Sequence, residues 1–353
     1  MSTVEILDDA AAVHALSAEW HALAVSCAAR HSMFPFWCLP WWQHLGHGQL
    51  LVVTVRAGRE LVGLAPLHVR RRGPVRVARF LGHGLGPVGE LLIAPGHPEV
   101  AAQLWDAVLT VPGVYLELTN FAETGGGLEH LVSRGDRNLH IAPSDTCPFV
   151  VVDGSFDTYF EGRSGELHRI LRRSGRALER RGSTFTVDVV RDEQGVNEVL
   201  PAVTGVFDAA EEHQPRLHLL APPYADFTRK LLRAAAAADA LQLFVGRIDD
   251  EVVAFALTLG CGPSIAMWLN RFHPSASDVG PGHLVFKEMV RYGFEHGLEE
   301  VDFMLGDFRY KWLWCSDAAR TVTVTGARGH LASIVGRASL AAASAVAGFA
   351  RRS

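Results

Sequence analysis

Two stretches of the chain alternate apolar residues around a polar turn in the same way: LLVVTVRAGRELVGLAPLHV from Leu50 to Val69, and LQLFVGRIDDEVVAFALTL from Leu241 to Leu259. Alternation at period two, broken once by a turn, predicts a β-hairpin in each. The two align without gaps. Arg56 falls on Arg247, Glu60 on Glu251, Val62 on Val253 and Ala65 on Ala256, with Ala57 and Gly58 against Ile248 and Asp249 in the turn. The downstream elements repeat as well. After the first hairpin come a further strand pair, a helix over Pro98–Leu109 and the strand YLEL at Tyr115–Leu118. After the second come a strand at Ile265–Asn270, a helix over His283–Gly297 and the strand VDFM at Val301–Met304. The pattern predicts two copies of one α/β unit, each a mixed sheet flanked by helices.

A length of 353 residues suits two domains. Between the copies lie a loop at Ala142–Pro148, the strand FVVVD and a polar turn at Gly154, which put the boundary there. The expected domains are residues 1–154 and 155–330, followed by an alanine-rich C-terminal helix over 331–353. The apolar run Leu331–Ala350 is interrupted by Arg337 and by serines, so it reads as an amphipathic docking helix and not as a membrane span.

With 48% hydrophobic and 20% charged residues and a formal charge of −5, the composition is that of a soluble globular protein and excludes a globally basic nucleic-acid binder. Any anionic partner has to meet a local patch. The acidic start MSTVEILDD lacks the basic flank and apolar run of a secretion signal, which places the protein in the cytoplasm. Cys27, Cys38, Cys147, Cys261 and Cys315 are odd in number and scattered, with no CxxC pair, which argues against a disulfide framework and a zinc site. No metal is expected.

Several segments could carry chemistry. GLGPVG at Gly84, Gly86 and Gly89 spells a dinucleotide fingerprint, but Pro87 lies inside it and the strand-like ELLIAP comes directly after, so no helix opens there onto a pyrophosphate. His83 beside it reads as a loop histidine. FPFWCLPWW, with Trp37, Trp41 and Trp42, reads as core packing of the first unit. In ELHRILRRSGRALERR, from Glu166 to Arg181, Arg169, Arg172, Arg173, Arg176 and Arg180 share one helix side, opposite Leu167, Ile170, Leu171 and Leu178. Such a stripe is either a solvated face or a phosphate-binding one, for a coenzyme or a tRNA acceptor end; Arg172 and Arg176 are the candidates for donor contact.

The stretch from Gly280 to Trp314, GPGHLVFKEMVRYGFEHGLEEVDFMLGDFRYKWLW, is richer. Gly280, Gly282 and His283 open an amphipathic helix whose apolar set is Leu284, Phe286, Met289, Val290 and Phe294, and free amides at a helix opening receive phosphate or carboxylate. Trp268, Asn270 and Arg271 end the preceding strand and are expected to shape a substrate pocket. Asp302 stands between apolar neighbours on a strand. There it is either a general base or, paired with Arg271 or Lys311, structural. Tyr310 can donate a proton and Lys311 can steady an oxyanion. Upstream, Glu211, Glu212 and His213 end a helix before Pro215, where His213 can act as a base.

Taken together, Trp20, the Phe36–Trp42 aromatic run, LVGLAPL at Leu61–Leu67, the basic helix LRRSGRALERRG, PGHLVFKEM, VDFMLGD and the Tyr310-Lys311 pair resemble the CelD/BcsL-type acyltransferases of the GNAT superfamily. The duplicated GNAT architecture of that family is shared with the Fem aminoacyltransferases. The resemblance implies two tandem GNAT-like domains, with an acyl donor in the splayed sheet of the second. The superfamily's R/Q-x-x-G-x-G/A pyrophosphate loop is reduced here to Val279-Gly280-Pro281-Gly282, so aminoacyl-tRNA stands beside acyl-CoA as an alternative donor.

The expected activity is direct acyl transfer to the amine of a small or polar acceptor, with acyl-CoA as co-substrate and no permanently bound cofactor. Asp302 or His213 takes the amine proton, Lys311 steadies the oxyanion and Tyr310 protonates the leaving group. On this reading Lys311→Ala depresses turnover strongly without unfolding the protein. The alternatives are a Fem-like transferase using aminoacyl-tRNA in antibiotic or cell-wall synthesis, and a non-catalytic binding module.

Overall fold

The computed structural model describes residues 2–328 apart from 74, 86, 87, 126, 137 and 261; the expected helix at 331–353 lies outside the described residues. The described residues form two compact units, one of those up to 145 with those from 320 onward and the other of residues 146–319. Gly154, where the sequence pattern changes, comes shortly after this division.

The first unit runs β1 (Ser2–Leu7), α1 (Ala10–Ala15), α2 (Ser17–Ser26), α3 (Pro35–Leu45), β2 (Gln49–Ala57), β3 (Glu60–Arg72), β4 (Val75–Phe80), β5 (Leu92–Ile93), α4 (Val100–Thr110), β6 (Val114–Ala122) and α5 (Leu128–Ser133). β7 (Leu139–Val151) carries the chain into the second unit. There the order is α6 (Phe156–Glu161), α7 (Gly165–Arg181), β8 (Phe185–Val190), α8 (Glu193–His213), α9 (Ala225–Ala237), β9 (Leu241–Ile248), β10 (Glu251–Leu259), β11 (Ser264–Phe272), α10 (Pro281–Glu295), β12 (Glu300–Asp302) and α11 (Arg309–Trp312). β13 (Asp317–Gly326) returns to the first unit.

Within the first unit the strands lie in the order β1-β2-β3-β4-β6-β13; within the second the order is β8-β9-β10-β11-β12-β7. The first five positions correspond, including a parallel pair where β4 meets β6 and β11 meets β12. Register corresponds as well. Arg56 faces Leu61 and Val55 faces Gly63 across a bulge, as Arg247 faces Val252 and Gly246 faces Ala254. Gly58 and Asp249 turn the two hairpins at φ of 63° and 53°. Arg56 and Arg247 each donate to the turn carbonyl three residues on, at 2.9 and 3.1 Å. Even the lead-in strands match: two residues beyond each of β1 and β8 stands an aspartate, Asp9 or Asp192, whose carboxylate caps the next helix at 2.8 Å. A shared bulge and a shared cap are independent of hydrophobic patterning, and together they establish the duplication foreseen from the hairpins.

Helix and sheet come close in both units by means of a glycine. A Cβ on Gly63 would lie 2.2 Å from Val100 Cγ1 of α4, and one on Gly246 would lie 2.7 Å from Val285 Cγ2 of α10. The core of the first unit gathers Trp20, Trp37, Trp105, Phe34 and Phe121, all fully buried. Trp37 and Trp41 are thus core residues of α3, as their sequence context suggests, while Trp42 is only half-buried. In the second unit Val285, Phe286, Met289 and Val290 of α10 pack on Phe244, Ala256 and Met267 of the sheet.

One expectation is corrected. Residues 142–148 are not a loop: despite Pro143 and Pro148 they belong to β7, where Asp145 N–H bonds Thr321 Oγ1 at 3.0 Å. Proline removes one donor per residue but leaves the carbonyl, and a strand tolerates that where the missing donor is not needed.

Candidate active site

In the second unit β12 pairs with β11 over three residues only, Ser264 to Glu300, Ile265 to Val301 and Ala266 to Asp302. The chain then turns away through Met304 (φ 61°) and Gly306 (φ 107°), while β11 continues to Phe272 on β10. The opening left beside β11 is a cavity of about 370 Å³. It is lined by the end of β11 (Asn270, Arg271, Phe272), the start of α10 (Gly280, Gly282, His283, Phe286), the end of α8 (Ala210, His213) with Gln214 and Arg216 after it, and by Phe255, Pro274 and Tyr310.

The opening of α10 is a sparser anion site than its glycines suggest. Pro281 has no N–H, and the His283 N–H is turned onto the Gly280 carbonyl at 3.2 Å. Among the described residues this leaves the Gly282 amide, together with the helix dipole, to meet an anion. Gly280 itself is held at φ 66°, where an added Cβ would find only ordinary contact, 3.6 Å from Ser174 Oγ. Gly280→Ala is therefore expected to cost conformational strain alone, about 1–2 kcal/mol. The thermal midpoint should fall by about 4 °C, with Gly280→Asn falling less because asparagine visits this region more readily. An unchanged midpoint for the alanine variant in a thermal scan would show that the turn is not constrained.

His283 has a defined protonation state. The Trp314 indole N–H donates to its Nδ1 at 3.2 Å, and burial pushes the imidazole below its ordinary range. A neutral ring that accepts at Nδ1 carries its proton on Nε2, so His283 serves as a hydrogen-bond donor and not as a base. Tyr310 lies between two phenylalanine rings, 5.8 Å from Phe286 and 6.1 Å from Phe308, nearly parallel to both. Burial raises its phenol above the ordinary value against the opposing bond to the Asn270 side chain, which keeps it protonated at neutral pH. His213 stands exposed at the rim, the last residue of α8.

Arg271 is held from three sides. Its Nε donates to Glu211 Oε1 at 2.8 Å, its Nη1 donates to the Asn270 carbonyl at 2.7 Å, and its guanidinium lies 4.6 Å from the centre of the Phe207 ring. The second oxygen of Glu211 takes the backbone N–H of Arg216. Glu211 thus ties the end of β11 to the segment after α8, with one hydrogen bond on each carboxylate oxygen.

Of the residues singled out from sequence, the cavity brings together His213, Asn270, Arg271, Gly280, Gly282, His283 and Tyr310. Five others lie elsewhere. Lys311 is 2% exposed, and its ammonium donates to the carbonyls of Met304 at 2.7 Å and Leu305 at 2.6 Å. It fastens the turn after β12 and is withdrawn from any oxyanion. Asp302 is 1% exposed and accepts the Met304 N–H at 2.7 Å, a structural carboxylate beneath the same turn. Trp268 packs edge-on against Phe227 of α9. Arg172 and Arg176 are exposed on α7, whose opposite face carries buried Ser174 beside Gly280; at 100° per residue both point away from the opening of α10. Sequence reasoning missed Arg216, Gln214 and Phe255. Arg216 had one available signal, its place in a polar segment directly after the helix that ends in His213.

Residues 166–312, within the second unit, match the acetyltransferase (GNAT) domain family. The second unit matches the GNAT acetyltransferase domain over these residues, and the first repeats its strand order and registers, so the fold is a tandem of GNAT-like units. The class that this domain defines is an acyltransferase. Among solved structures the chain is similar to FemX, at 12% identity over 88% of this chain and 95% of that one, with a TM-score of 0.67. It is also similar to the C-terminal domain of a putative lysylphosphatidylglycerol synthetase from Agrobacterium fabrum, at 14% identity, 91% and 94% coverage and a TM-score of 0.56. A third is L-PGS from Bacillus licheniformis, at 14% identity, 91% and 96% coverage and a TM-score of 0.53. No curated protein matches the chain in sequence. No helix among the described residues is long and apolar enough to cross a membrane.

Proposed function

We propose that the chain is an N-acyltransferase that passes an acyl group from an acyl-CoA to the amine of a small acceptor by direct attack. One observation carries the reading: within the GNAT domain a single cavity collects a rim histidine, a donor-only histidine, a protonated tyrosine and the opening of a helix. The amine nitrogen bonds to the thioester carbonyl carbon as His213 takes its proton, and the Nε2–H of His283 donates to the oxygen that gains charge. Collapse of the tetrahedral species breaks the carbon–sulfur bond, and Tyr310 gives its proton to the departing thiolate. No covalent intermediate on the protein is required.

Tyr310→Phe keeps the ring stack and removes the acid together with its bond to the Asn270 side chain. It should lower kcat by about 100-fold with little change in KM. A kcat within threefold of wild type in a thiol-release assay would remove Tyr310 from the reaction.

A second reading keeps acyl transfer but takes an aminoacyl group from tRNA. It is favoured by the single free amide at the opening of α10, too few for a firm pyrophosphate grip, and by the exposed arginines of α7. Sharing a fold with FemX and with lysylphosphatidylglycerol synthetase points the same way. Calorimetry with acetyl-CoA, longer acyl-CoAs and aminoacyl-tRNA separates the donors: saturable binding of acyl-CoA supports the first reading, steeply salt-dependent binding of charged tRNA supports the second, and binding of neither leaves a non-catalytic module.

A further inference from the structure

The charges around the cavity do not balance, and the imbalance names the kind of acceptor. No aspartate or glutamate is among its lining residues. Glu211, at the end of α8, accepts from Arg271 and from the backbone N–H of Arg216, so the charge of Arg271 is offset within the protein. That of Arg216 is not. Its side chain touches only the Gln214 Oε1, at 3.3 Å, and its remaining guanidinium donors have no partner among the described residues. Its field nevertheless reaches inward, since it is one of the charges that oppose the burial-driven rise of the Tyr310 phenol.

A bare ammonium brought into such a cavity would meet a cation and find no counter-charge. An acceptor that carries its own carboxylate would supply the missing partner and gain a charge-assisted hydrogen bond to a guanidinium, whose fork accommodates both carboxylate oxygens. Part of the cavity wall is apolar and aromatic. Phe255, Phe272 and Phe286 offer an apolar surface that a hydrophilic acceptor would leave unused.

Resting on the acyltransferase reading, we infer that the acceptor is an amino acid with an apolar side chain and a free carboxylate, the carboxylate held by Arg216 and the side chain by Phe255, Phe272 and Phe286. Arg216 is on this account the residue that sets specificity, while Arg271, already paired, keeps the segment after α8 in place.

The test has a binding arm and a turnover arm. In calorimetry without donor, N-acetylphenylalanine should bind on the order of 30-fold more tightly than N-acetylphenylalaninamide, and Arg216→Gln should bring the two within about threefold of each other. In acetyl-CoA turnover, phenylalanine should exceed phenylalaninamide and phenethylamine by a similar factor in kcat/KM. Arg216→Gln should raise KM for phenylalanine and leave KM for acetyl-CoA unchanged, with an unchanged thermal midpoint. Equal binding of acid and amide by the wild type, binding of neither, or an Arg216→Gln effect confined to the KM of acetyl-CoA would overturn the assignment. Turnover of no acceptor would remove the acetyl-CoA reading of the activity, and the binding arm would still decide the carboxylate.

Discussion

Lowering the pH from 7.5 to 5 is expected to unfold the first unit. Three of its histidines are held in the neutral form, His31 and His68 buried and His83 half-buried. Burial, aided by Arg30, holds His31 down to about 3; burial and the nearby Arg79 hold His68 at about 4 and His83 at about 3. In the unfolded chain each titrates near 6.5. The folded state therefore binds fewer protons than the unfolded state between these values. The stability these groups confer is fully present above about pH 6.5 and is lost as pH falls toward the folded values. Each costs about 1.4 kcal/mol per pH unit over that window, so the three together remove on the order of 6 kcal/mol between pH 6.5 and 5. That is comparable with the whole stability of a domain of this size. Urea midpoints measured across this range should fall steeply, and His31→Gln, which removes one of the three protons, should flatten the slope by about a third. A midpoint independent of pH between 7 and 5 would refute the assignment of neutral rings.

Lys311→Ala is expected to destabilise the second unit strongly rather than to yield an inactive enzyme of unchanged stability. The substitution strips the carbonyls of Met304 and Leu305 of their buried donor, at about 1–3 kcal/mol each, and leaves a hole where the side chain stood. It also releases a turn that Met304 holds at a positive φ. A total of about 4 kcal/mol corresponds to a fall in thermal midpoint of roughly 12 °C. Lys311→Met, which keeps the volume, should recover part of the packing and none of the hydrogen bonding. If the alanine variant melts like the wild type while kcat collapses, Lys311 is a catalytic group after all and the fastening role is wrong.

The hairpins, the helix opening at Gly280 and the end of β11 around Asn270 were legible in the chain because each depends on local rules: alternation, a turn residue, a glycine before an apolar periodic run. The roles of Lys311 and Asp302 were not. A sequence shows that a residue is charged but not which carbonyls will surround it, and in both cases the partners come from a turn whose path depends on how early β12 ends. Arg216 escaped for the opposite reason. It stands in a segment without periodicity, and its importance comes from Glu211 being spent on Arg271, a relation that only the folded arrangement reveals. Arg172 and Arg176 were on the right helix but the wrong side of it, because the charge pattern fixes which residues share a face and not what the other face touches.

The glycines under α4 and α10 bear on how far the two units can still exchange parts. Where Gly63 relieves α4, the aligned position in the second unit is Ala254, and where Gly246 relieves α10 the aligned position in the first is Val55. Each copy solved the same crowding on the opposite strand of the same hairpin. Grafting β9–β10 in place of β2–β3 would set a methyl group against Val100, and the reciprocal graft would set an isopropyl group against Val285. The two hairpins are therefore not directly interchangeable: each graft sets added carbon where a helix already packs, although their backbones still trace the same path.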